Sequence, residues 1–140
     1  MTSPDDGRLI VDGLNVVGSR PDGWWRDRIG AFERLIAELQ PLASRRRGAV
    51  IVVVEGRAGE SVRAGRHGDV EVVHAGRRGR DAADDRIVAL VTPSSRATPT
   101  ARPEDDTVVT ADRALMERVR ELGVQVLGPS ALLRQLDDGT

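Results

Sequence analysis

Cysteine, tyrosine and lysine are all missing from this 140-residue chain, and its aromatic rings are limited to Trp24, Trp25 and Phe32. Each absence removes chemistry. Without cysteine there are no disulfides, no thiolate zinc sites and no thiol nucleophile, which fits a reducing cytoplasm. All 21 basic residues are arginine, so a Walker-type phosphate loop, a Schiff base and a lysine-dependent receiver site are excluded. No tyrosine nucleophile exists, and imidazole bases reduce to His67 and His74. No apolar run reaches the length of a membrane span or of a signal-peptide core. The expectation is a soluble, cytoplasmic protein with no membrane partner. An enzyme made from this inventory works mostly with carboxylates.

What is present points to one domain over 1–140. A chain of this length buries roughly two-thirds of the surface its unfolded form exposes, here around a core of Val, Leu, Ile and Ala. Formal net charge is −1, yet residues 45–80 hold nine arginines against Glu55, Glu60, Asp69 and Glu71. A locally basic middle suits a polyanionic partner, although arginine clusters are also ordinary solvated surface.

Short β-branched runs alternate with helical patterns. Strands are expected at 8–12, 49–56, 68–76, 106–111 and 124–128. Helices are expected at 22–40, where Ile29, Phe32, Leu35, Ile36 and Leu39 recur at helical spacing before Pro41, and at 81–91, 112–122 and 129–136. The order predicts an α/β fold, a mostly parallel five-stranded sheet with helices on both faces in three layers. The segment 92–105, rich in Pro, Ser and Thr, reads as a flexible surface loop within that domain.

With strands placed, the acids converge. Asp12 ends the first strand, Asp81, Asp84 and Asp85 open the helix after the third, and Asp112 follows the fourth. Carboxyl ends of parallel strands share one edge, where ligands bind, so these acids and Asn15 meet at one rim. Each has a plainer reading. Asp12-Gly13 is also turn chemistry. Asp81 suits a helix cap, acids in a first turn suit the helix dipole, and Thr110 is a cap with Asp112 in the turn after it. Together they repel and raise one another's pKa unless a cation compensates. Oxygen-only ligands suit Mg²⁺ or Mn²⁺ rather than zinc.

These residues resemble the NYN domains of the PIN-like nuclease superfamily, specifically the YacP-like branch. The matching motifs are "VDGLNVVGS", "AADDRIVALV" and "VVTADRALMERVRELGVQVLGPSALL", in the right order and over nearly the whole chain. The resemblance implies a PIN-like fold and a Mg²⁺- or Mn²⁺-dependent ribonuclease acting on RNA. It carries Asp12, Asp84 and Asp112 over as the main metal-binding and catalytic acids, with Asn15 beside the first. Asp85 corresponds to the family's second acid in its motif. Asp81 falls where relatives often carry Glu or another residue.

Trp24 and Trp25, just after the first strand's end, are candidates for stacking on unpaired bases, or for core packing as a staple. Arg20, Arg26, Arg80, Arg86 and Arg113 lie near the motifs and are candidate phosphate contacts. His74 ends a strand on the same rim, where packing is the more ordinary role. The alternative function is an RNA- or ribosome-binding module of the same fold that cuts slowly or not at all. A Rossmann-type nucleotide site at "GLNVVG" fails the full glycine spacing.

Overall fold

The computed structural model describes residues 7–76, 79, 81–92 and 103–138. Among the described residues the strands are β1 (Leu9–Asp12), β2 (Val50–Val54), β3 (Gly65–His67), β4 (Val70–His74), β5 (Thr107–Val109) and β6 (Gln125–Leu127). They form one sheet in the order β3-β4-β2-β1-β5-β6. Every pairing is parallel except β3 with β4. The sheet therefore has six strands among the described residues, where the sequence pattern predicts five. The extra one, Gly65–His67, is a short edge hairpin partner. Gly68 turns it at φ +61°, and Gln40 pins the turn by donating to the His67 carbonyl and accepting from the Asp69 amide.

The helices are α1 (Gly13–Gly18), α2 (Arg28–Arg45), α3 (Gly56–Ser61), α4 (Ala82–Val91), α5 (Arg113–Glu121) and α6 (Pro129–Asp138). Residue alternation along the buried strands sorts the core into two faces. Leu9, Val11, Val50, Val52 and Val54 pack with Val16 and Val17 of α1, the stripe of α2, and Leu132 and Leu136 of α6. Ile10, Ile51, Val53 and Val108 pack on the other side with Ile87 and Val91 of α4 and Leu115 and Val119 of α5. The result is three layers, helices on both faces of a mostly parallel sheet.

Three sequence expectations need correcting. The helix expected at 22–40 is a 3₁₀ turn at Trp24–Arg26 followed by α2, because Asp27 caps the helix: its Oδ1 accepts from the Gly30 amide at 2.9 Å. Ile29, one turn into that pattern, faces outward at 39% exposure. Pro41 lies inside α2 rather than after it, since Leu42 and Ala43 continue the buried stripe beyond it. Most of the segment 92–105 lies outside the described residues. Its last part, Pro103–Asp105, is a 3₁₀ turn leading into β5.

Candidate active site

The chain runs from β1 to β2 and β4 on one side, then returns through α4 to lay β5 against the other side of β1. Strand order reverses there, and a crevice opens between the carboxyl ends of β1 and β5, the position where open α/β sheets bind ligands. Asp12 is the last residue of β1, and it runs directly into α1. Gly13 is required by close approach rather than by an unusual φ. A Cβ there would sit 2.7 Å from the Val53 carbonyl oxygen and 3.3 Å from Val52. α1 thus starts pressed onto β2, which carries Asn15 round to the crevice.

On the β5 side the turn Thr110–Asp112 is stitched to β1. The buried Thr110 hydroxyl donates to Asp12 Oδ2 at 2.9 Å and accepts from the Asp112 amide at 3.1 Å. Asn15 Oδ1 accepts from the Ala111 amide at 2.8 Å. Asp112, not Thr110, caps α5: its Oδ1 accepts from the Leu115 amide at 3.0 Å. Asp84 reaches the crevice from the first turn of α4, and Glu55 from the residue after β2. Asp12, Asn15, Asp84, Asp112, Glu55 and Trp24 line one open cleft of about 500 Å³.

The carboxylates are electrostatically uncomfortable. Burial raises the pKa of Asp12, the hydrogen bond from Thr110 and the Asn15 backbone lower it, and the Asp112 charge raises it again. Asp84 is pushed up to about 6 by burial and by the charges of Asp112, Asp12 and Asp81, with Arg118 opposing. Glu55 is pushed up to about 7 by burial, then by Asp12 and Asp84. Raised values with this cause mean that a cation in the cleft relieves repulsion. Hard oxygen donors fit a hard divalent ion. Among the described residues no three His, Cys, Asp or Glu side chains stand close enough together, as placed, to hold a metal ion.

With this geometry in view, the comparisons are specific. The family model of the YacP-like NYN domain matches residues 9–140. The chain belongs to that family. The YacP-like NYN domain is nuclease-like, and nucleases of its class generally use divalent metal ions. Two crystal structures from Bacillus subtilis share the fold. Rae1 (YacP) superposes with a TM-score of 0.72 at 23% identity, over 94% of this chain and 74% of that one. A tryptophan-to-leucine mutant of Rae1 (YacP) superposes with a TM-score of 0.74 at 22% identity, over 95% and 76%. No curated protein matches the chain.

Within this YacP-like NYN domain the other expected residues scatter. Asp85 turns from the cleft to Arg118, Oδ1 to guanidinium nitrogen 3.0 Å. Asp81 precedes α4, is exposed and does not line the cleft, although its charge is felt by Asp84. Trp24 does line the cleft and leans on the core, whereas Trp25 is 56% exposed and meets Trp24 edge-on at 6.2 Å. Arg20 is held bidentately by Glu38, both contacts 2.7 Å, so its guanidinium is engaged within the fold rather than presented to a phosphate. Arg26 lies over Trp25, and Arg86 and Arg113 are exposed on α4 and α5. Arg80 lies outside the described residues. His74 donates to the Val62 carbonyl at 2.6 Å, a packing role. Sequence reasoning missed Glu55 and Thr110 as parts of the site. The signal for Glu55 was its place at the carboxyl end of β2, the strand neighbouring β1.

Proposed function

We propose that this protein is a Mg²⁺- or Mn²⁺-dependent ribonuclease whose reaction centre is the cleft between β1 and β5. The observation that carries the reading is the convergence of Asp12, Asp84 and Asp112 from three distant segments onto one cleft. A fold with no use for a cation gains nothing from that repulsion. Asp12, Asp84 and Asp112 would hold the ion, with Asn15 fixing the β5–α5 turn against α1. Held there, a divalent ion would supply Lewis-acid polarisation of a phosphoryl oxygen and a more acidic water. Thr110 orients Asp12 through its hydroxyl and sets the Asp112 backbone with the same atom. Glu55, whose carboxyl is raised to about 7 by burial and by the charges of Asp12 and Asp84, stands on the cleft wall beside them. Trp24 lines the same cleft beside the acids.

The test is cleavage of single-stranded and structured RNA with Mn²⁺, with EDTA, and by Asp12→Asn and Asp84→Asn proteins. Metal-dependent cleavage reduced at least 100-fold in both variants is expected. Cutting that survives EDTA or either substitution defeats the reading. RNA or ribosome binding without cutting under any condition would make the protein a binding module of this fold.

A further inference from the structure

The acidic cleft continues beyond Glu55. A more enclosed cavity of about 360 Å³ adjoins it, sharing Leu14 and Glu55 and bounded by Phe32, Ala58, Arg28 and Arg57. Its volume falls in the range of small-ligand pockets, about 300–1,000 Å³. Arg28, Arg57 and Ala58 are shared in turn with an outer groove that also takes in Arg26 and Ile29. One trough therefore changes character along its length, from carboxylates, through a pocket lined by Leu14 and Ala58 beside Glu55, to a groove where three arginines outnumber Asp27.

The arginines of this trough are among those the fold leaves without a carboxylate partner, as it also leaves Arg86, Arg113 and Arg134 among the described residues. Arg8, Arg20, Arg34 and Arg118 are held by the carboxylates of Asp106, Glu38, Asp22 and Asp85. Arg26, Arg28 and Arg57 meet no carboxylate among the described residues. Arg28 and Arg57 also sit in the first turns of α2 and α3, where a helix dipole disfavours positive charge. They do not serve their own helices. Arg28 is instead steadied over the Trp24 ring, 5.4 Å from its centroid, so the cleft's aromatic wall aims the charge.

We propose that the cavity between α2 and α3 receives an unpaired base of an RNA strand whose adjacent phosphate is held by Arg28 and Arg57 while the strand continues into the acidic cleft. The inference rests on the ribonuclease reading and names its substrate as single-stranded or unpaired RNA, because a base kept in a duplex stack cannot enter a side pocket. Leu14 and Ala58 supply apolar surface for the base over the buried Phe32, and the two guanidiniums supply charge for a phosphate.

Binding decides the matter separately from cleavage. Labelled single-stranded RNA is titrated onto Asp12→Asn protein in EDTA, where nothing is cut. Adding Arg28→Ala and Arg57→Ala together should weaken binding at least tenfold and flatten the slope of log K against log salt by about 1.4, roughly 0.7 for each lost contact. Ala58→Leu, which fills the cavity, should cost roughly tenfold by shutting the base out, and should no longer distinguish a normal strand from an abasic one. Duplex RNA should bind at least tenfold more weakly than the single strand at the same salt. Unchanged affinity and slope in the double-arginine protein overturns the proposal, as does equal affinity for strand and duplex. An Ala58→Leu protein with an unaltered thermal midpoint that still discriminates abasic strands also overturns it. Should Ala58→Leu fail to fold, the arginine and duplex comparisons decide alone.

Discussion

Asp12 is 4% exposed and yet faces a cleft shared with three other carboxylates. Among the described residues, its only direct relief from a side chain is the Thr110 hydroxyl. Thr110→Val removes that donor and the acceptor for the Asp112 amide, leaving buried polar groups unmatched at a cost of about 1–3 kcal/mol. Chemical denaturation should show that loss, and the pH profile of cleavage should move to higher pH as Asp12 becomes harder to ionise. The carboxyls of Glu55 and Asp84, raised to about 7 and about 6 from ordinary values of 4.5 and 3.8, make a second expectation. Folded protein holds these protons where unfolded chain has released them. Their contribution to stability is therefore full below about 4 and is lost as pH rises through 6 to 7. In EDTA the thermal midpoint should fall between pH 6 and pH 8, and Glu55→Gln/Asp84→Asn should flatten that slope. A midpoint that rises over this interval in the parent protein contradicts the electrostatics. At Gly13 the constraint is steric: Gly13→Ala drives a methyl against the Val53 carbonyl, and about 1–3 kcal/mol of destabilisation is expected in urea titration.

Elements with sustained patterns were legible in the sequence. β2, apolar throughout, reads as a central parallel strand because both its faces are covered, and α4 and α5 read from their spacing. The two helices that escaped, α1 and α3, have six residues each and begin with glycine. Neither is long enough to show a period, and both are held by packing on β2 and α2 rather than by propensity. β3 escaped for a related reason, since a three-residue edge strand exists only through its hairpin with β4. The acids Asp12, Asp84 and Asp112 could be read because they sit next to recognisable strand and helix ends. The cavity arginines could not, because Arg57 belongs to the unforeseen α3. Pro41 misled because it normally marks a helix end, yet here Leu42 and Ala43 extend the buried face. Proline inside a helix gives up one hydrogen bond and strains the preceding turn. Pro41→Ala should accordingly raise stability by about 1 kcal/mol, measured by denaturant titration. Loss of stability would mean that its rigidity matters more than the missing bond.

Taken as a whole, the molecule places a negative centre beside an arginine-lined trough, so its behaviour should depend on ions in two opposite ways. Mg²⁺ should raise the thermal midpoint, and more at pH 8 than at pH 6, because the carboxylates must shed protons to accept it. Equal shifts at both pH values, or none, would argue that no ion binds at the acids. RNA binding through the arginines should weaken with monovalent salt. The position of β1 has a further consequence, one of timing. It is the central strand, flanked by β2, whose register begins at Val50, and by β5, whose register begins at Thr107. As the chain emerges during synthesis, β1 can find β2 early but waits for β5 until residues 107–109 have been made. Thr110, Ala111 and Asp112 arrive with that last partner. A ribosome stalled before residue 107 therefore carries a chain with Asp12 and no crevice, and the proposed reaction centre cannot form before β5 encloses β1.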